Sequence, residues 1–239
     1  MGIQYAVNNY SSAMKHCDNL IAVHRAAGSG GPGKRSVEPS VNRGTVVLAV
    51  ASWQAFIQDV AKSLRDEALA EARKAATGTR LLLAAMDQWE TDFNAALEKF
   101  STPQPGQIQS LLKRAGYDPR PHWTWNQRGG RGKPDVLVEP WHVEKVIFQW
   151  LRVRHDVAHG HDTITSLPIL EAVRDPQSSA KLKAAPTLRL TDADDCVKFF
   201  RAVVRLTADG AAQHLGEQPP TWENPPSLAL GLHVSNLKK

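Results

Sequence analysis

The stretch NRGTVVLAVASWQAFIQDVAKSLRDEALAEARK, residues 42–74, decides the fold class. Its large apolar residues Val46, Val50, Trp53, Ile57, Val60 and Leu64 recur in alternating steps of four and three. That spacing places them on one face of an α-helix, so a long core-facing helix is expected from about Asn42 to Lys74. Upstream, Gln4 to Ala27 reads as a second helix, ended by the Gly-rich run GSGGPGK at 28–34. Downstream, Thr79 to Lys99 carries Leu82, Met86, Trp89, Phe93 and Leu97 at helical spacing. The loop STPQPG then leads into a short helix, Gln107 to Ala115, which stops before Gly116.

The segment YDPRPHWTWNQRGGRGKPD, residues 117–135, has many Pro and Gly residues and no regular period, and reads as a loop. A further helix is expected from Pro140, which suits a first helical turn, to Ala158, just before Gly160. Residues 161–190 give a poor signal. A last helix begins near Thr191, with Asp192, Asp194 and Asp195 suited to its first turn. It turns Val197, Phe200, Val204 and Ala208 inward and ends around Leu215. No strand or internal repeat stands out. The expected architecture is all-α: an antiparallel helical bundle with extra loops, divided into an N-terminal helix (1–27), a flexible linker (28–40), a main domain (41–215) and an irregular tail (216–239).

Composition narrows the function classes. The 239 residues are 42% hydrophobic and 22% charged, as in ordinary globular proteins. No uninterrupted apolar run approaches a membrane span, and the first twenty residues lack the pattern of a signal peptide. Cys17 and Cys196 show no metal-ligand spacing and make no disulfide framework, so a reducing cytoplasm is the simple expectation. The net charge of +5 and pI near 9.3 permit a polyanionic partner such as RNA without demanding one.

The helix Pro140–Ala158 carries the chemistry. On a helical wheel, Val143, Val146, Ile147, Trp150, Leu151, Val153, Val157 and Ala158 fill one apolar arc, and Arg154 falls near its centre. An unpaired guanidinium in an apolar environment is very costly, so Arg154 requires a carboxylate, a bound anion or a wet groove. His159 lies five residues on. His155 and Asp156 precede it by four and three residues, so both are expected to contact its imidazole. A histidine can exchange protons with a 2′-hydroxyl or a leaving oxygen, and an arginine can stabilise charge on phosphorus. Such a cluster has the parts for RNA cleavage without a metal.

RHDVAH, late in a helix of an all-α protein, resembles the Rx4–6H motif of HEPN domains, in which a polar residue such as His155 typically follows the arginine. NRGTVVLAVASWQAFIQDV (42–60), FSTPQPGQIQSLLKRAGYD (100–118) and LRVRHDVAHG (151–160) together resemble the RiboL-PSP-HEPN branch of that superfamily. The resemblance covers roughly residues 42–215. It implies a homodimer with both motifs facing one cleft, no cofactor and no catalytic metal. By the same resemblance Arg154 contacts the scissile phosphate, His159 transfers protons and His155 supports them. Gln54 stands where that pattern leads us to expect Glu, so any orienting acid must be Asp59 or Asp156, or be absent. The resemblance further implies a toxin or anti-phage defence effector, held in check by an antitoxin or another defence-system protein, commonly nucleotidyltransferase-like.

Arg152 falls on the polar side of the same helix and is expected to touch substrate. In HWTWNQRGGRGK (122–133), Trp123, Trp125, Arg128, Arg131 and Lys133 fit an RNA-contacting loop, since bases stack on aromatics and phosphates attract arginines. The bland alternative is a pair of tryptophans anchoring a loop to the core. HDVAHGHD also invites a zinc reading through His155, His159 and His161 or Asp162, though the order of residues is unlike known zinc-protease patterns. GSGGPGKR (28–35) begins like a phosphate-binding loop, but Arg35 replaces the required Ser or Thr, and the preceding IAVHRAA reads as helix rather than strand.

Overall fold

The computed structural model describes residues 2–27, 37–75, 80–128, 134–175 and 187–237. Among them the chain forms α1 (Ile3–Ala27), α2 (Val37–Ala75), α3 (Arg80–Glu98), α4 (Pro105–Arg114), a 3₁₀ turn (Arg120–His122), β1 (Trp125–Gln127), β2 (Val136–Val138), α5 (Pro140–Ala158), α6 (Glu171–Arg174), α7 (Leu190–His214) and a second 3₁₀ turn (Val234–Asn236). The all-α expectation holds, with one correction. The segment read wholly as loop contains a strand, β1, which pairs antiparallel with β2 just beyond it, Trp125 opposite Val138 and Gln127 opposite Val136. Three-residue strands carry too few alternations to show a period.

The 42–74 stripe does what its spacing predicts. Val46, Val50, Trp53, Ile57, Val60 and Leu64 are all buried on α2, the central helix. Asn9 bonds Asp59 while Cys17 lies by the carbonyl of Thr45, so α1 runs antiparallel to α2. Asn42 bonds the carbonyl of Leu188 and Trp53 meets Phe200, so α7 runs alongside α2 in the same direction. On α7, Val197, Phe200, Val204 and Ala208 are buried, as their spacing requires. By length and composition α2 could also cross a bilayer, but 56% of its most apolar window is buried inside the protein, facing other helices.

The start of α2 at Val37 lies inside the stretch expected to be linker, so that expectation fails at its C-terminal end. On α3, Met86, Phe93 and Leu97 are buried and Trp89 partly so, whereas Leu82 is exposed. Residues of α1 and of the tail (Leu230, Leu232, Leu237) belong to the same core as α2 and α5. The expected boundaries at 28–40 and 216 therefore separate stretches of chain, not cores. Packing is tight enough to fix a glycine on α7. A Cβ at Gly210 would lie 2.5 Å from Tyr117 Oη and from the His122 ring.

Candidate functional site at the end of α5

Helix α5 begins and ends on strong signals. Glu139 caps it, Pro140 follows, and His142 Nδ1 accepts the Glu139 amide at 2.9 Å. At the other end His159 is the cap residue, and Gly160 adopts a left-handed φ of +71°. The Gly160 amide donates to the carbonyl of Val157 and the His161 amide to that of Asp156. This pair of reversed hydrogen bonds closes a helix terminus and needs a residue that tolerates positive φ. The turn sends the chain back along the last turn of α5, and the polar side chains gather there.

Most of the apolar arc belongs to this protein's own core. Val143, Val146, Ile147, Trp150, Leu151 and Val153 are buried, Val157 is half-buried and Ala158 is exposed. Most of the arc is therefore satisfied inside this protein, and only its C-terminal end reaches the surface. Arg154, within the arc and about one turn from the end of the helix, is half-buried, with no hydrogen bond or ion pair among the described residues. His155 and His159 are exposed, with ring centroids 4.2 Å apart. The ring of His161 lies 6.1 Å from that of His159.

Asp156 was expected to reach His159, and it does not. It turns inward, only 1% exposed, where Oδ2 accepts the Thr165 amide at 2.8 Å. Oδ1 lies 3.5 Å from both Arg152 Nε and His161 Nδ1. Burial alone would raise this carboxyl. The hydrogen bonds from Thr165 and the charges of Arg152 and His161 outweigh burial and hold it below the ordinary carboxylate value. From α2, Arg43 donates to the carbonyl of Asp162 at 2.8 Å and pins the returning loop. The last turns of α5 and the loop after them thus carry Arg152, Arg154, His155, His159 and His161, with Arg43 of α2 on the same loop, a basic surface suited to a phosphodiester; of these, Arg152 and His161 approach the buried Asp156 carboxylate.

The remaining site candidates lie elsewhere. Gln54 Nε2 reaches the carbonyl of Phe100 at 3.4 Å, and Asp59 is held by Asn9 and Lys62. Neither touches the arginine or histidines of α5. Trp123 is fully buried with Nε1 bonded to Thr207 Oγ1 at 2.9 Å, and Trp125 is 6% exposed. These rings are core, so the stacking role expected for them is corrected. Arg128 is exposed beside β1, which pairs with the strand leading into α5. Among the described residues no hydrogen bond, ion pair or ring contact joins it to the arginines or histidines at the end of α5. Arg131, Lys133 and the whole Gly-rich run at 28–35 lie outside the described residues; the preceding residues 21–27 are helical. Among the described residues no group of three His, Cys, Asp or Glu side chains is placed to hold a metal ion.

Sequence reading missed three parts of this end: Thr165, Arg43, and His161 as a partner of Asp156. Gly160 was the available signal for the third, because a left-handed helix end folds the following residue back. The partners Arg43 and Thr165 depend on tertiary placement and leave no local trace. No family model matches the chain, and no curated protein or solved structure matches it.

Proposed function

We propose that this chain is a HEPN-type, metal-independent endoribonuclease acting as a toxin or anti-phage effector. The observation that carries the reading is the end of α5, where a half-buried Arg154, with no hydrogen bond or ion pair among the described residues, accompanies exposed His155 and His159, whose tilted rings lie 4.2 Å apart between centroids. An arginine kept at the margin of a core without a carboxylate is an arginine available to an anion. In the reaction it binds the non-bridging oxygens of the scissile phosphate. His159 takes the proton of the adjacent 2′-hydroxyl, whose oxygen attacks phosphorus as the bond to the 5′ oxygen breaks. The products are a 2′,3′-cyclic phosphate and a 5′-hydroxyl, and chelators leave the reaction untouched.

A homodimer fits the exposed side of α5. Phe148, Arg152, His155 and His159 fall in one stripe at helical spacing, and Phe148 is 59% exposed beside a groove of about 870 Å³ lined by Trp141, Leu167 and Pro168. Two such stripes facing each other would bring the His155–His159 pairs of two copies to one cleft. An antitoxin or other defence-system protein would cover the same face. Expression tests the reading: the wild-type chain should arrest growth of its host, and His159→Ala should relieve the arrest at equal protein level. Equal growth with both chains would count against it.

One observation favours a second reading, a catalytically silent module that binds RNA or nucleotide or serves as an assembly platform. Gln54 is engaged with the carbonyl of Phe100, so no acid from that position of α2 orients the α5 cluster. That reading predicts RNA retention by the purified protein with no cleavage.

A further inference from the structure

Resting on the ribonuclease reading, we propose that His161 is a second proton-transfer group of this site, donating from Nε2 to the leaving 5′ oxygen, with Asp156 as its positioning residue. The left-handed turn at Gly160 folds His161 back so that its amide donates to the Asp156 carbonyl at 3.0 Å and its Nδ1 faces the Asp156 carboxylate. Asp156 Oδ2 is committed to the Thr165 amide, while Oδ1 is buried and without a hydrogen bond. A buried carboxylate oxygen left unsatisfied is costly. Closing His161 Nδ1 from 3.5 Å by about half an ångström makes a hydrogen bond that removes the cost. Arg152 Nε lies equally near but has a second acceptor in Thr165 Oγ1 at 3.4 Å.

A carboxylate on Nδ1 fixes the ring's tautomer and leaves Nε2 on the opposite edge, and the half-exposed ring keeps that edge in reach of solvent and substrate. Across the 6.1 Å between the His159 and His161 rings, one phosphodiester can be met from two sides by hydrogen bonds of about 3 Å. His159 removes the 2′ proton, and His161, protonated on both nitrogens, gives its Nε2 proton to the departing 5′ oxygen. The two imidazoles exchange protonation states, and the formal charge of the site is unchanged. Asp156 compensates the imidazolium before transfer and holds the neutral ring after it.

The test uses one RNA oligonucleotide containing the wild-type cleavage site, and its analogue in which sulfur replaces the leaving 5′ oxygen. A thiolate departs without a proton. His161→Ala and His161→Gln should lose at least about 100-fold on the oxygen substrate and stay within a few-fold of wild type on the sulfur substrate. His159→Ala should lose both. Loss of both substrates in the His161 variants, or of neither, would overturn the proposal while wild-type cleavage left the ribonuclease reading standing. A wild type inactive on both in EDTA would remove that reading and the proposal together. For Asp156→Asn, the Thr165 amide claims the side-chain oxygen and the amide NH₂ faces His161. Nitrogen-15 NMR should then show the neutral ring shifting from the Nδ1–H to the Nε2–H tautomer; an unchanged tautomer would contradict the positioning role.

Discussion

The two ends of α5 carry histidines with opposite fates. At the N-terminal end His142 is buried, its Nδ1 spent on the Glu139 amide and its ring packed on Trp141 with centroids 3.7 Å apart. Nearby Trp123 and Trp125 are buried, and Trp123 has its indole nitrogen bonded. At the C-terminal end His155 and His159 stand in solvent, and Arg154 has no partner among the described residues. The difference teaches that residue type alone does not mark a site. A histidine whose nitrogen closes a helix cap serves stability, and one whose nitrogens stay free is available for chemistry.

Variants at the two ends should therefore fail in different ways. The largest stability effect belongs to the buried end: Trp123→Ala should cost about 3–5 kcal/mol, read as a lowered midpoint in urea unfolding. Trp123→Phe removes only the hydrogen-bonding edge, leaves Thr207 unpaired on that side, and should lose less. An RNA-binding role for Trp123 would instead show weakened RNA retention in a Trp123→Phe variant of undiminished stability.

Asp156 links stability to the chemical end. Asp156→Asn should lower stability by about 1–3 kcal/mol at neutral pH, because a buried hydrogen-bonded charge is replaced by an amide that mispairs. Its carboxyl is held below its ordinary value in the folded protein, so folding favours the charged form. The contribution is complete above the unfolded value near pH 4 and fades as pH falls through the lower folded value. Thermal melts of the two proteins should thus differ most near neutrality and converge in acid. A gap that widened below about pH 4 would contradict this sign.

The smallest effect sharpens the contrast most. His142→Ala removes a cap contact and should cost about 1 kcal/mol while leaving RNA cleavage unchanged. A loss of cleavage at full folding would erase the distinction between the ends.

Much of the fold was legible because long helices repeat their apolar residues. The stripe from Val46 to Leu64 and the inward set Val197, Phe200, Val204 and Ala208 are buried as their spacing demands. Pro140 and Gly160 mark both ends of α5, where proline is pre-set for a first turn and glycine permits the left-handed exit. The β-hairpin stayed hidden because its three-residue strands are held by cross-strand pairing and by packing that no local pattern encodes. Leu230, Leu232 and Leu237 were hidden for a related reason: they pack from irregular chain, which has no period.

At the site, the cluster was legible as composition and its internal pairing was not. Helical spacing brought His155 to His159, and the rings do meet. The same spacing pointed Asp156 at His159, but the returning loop offers Asp156 the Thr165 amide and buries it. For Trp123, the choice between stacking platform and anchor depended on Thr207, 84 residues away.

The most direct measurement is cleavage of total RNA by purified protein in EDTA, with wild type, Arg154→Ala, His159→Ala and His142→Ala compared at equal folded concentration. The account predicts cleavage ending in 2′,3′-cyclic phosphate by wild type and His142→Ala, and losses of about 100-fold or more in the other two. Equal behaviour of all four proteins, or loss confined to His142→Ala, would contradict it.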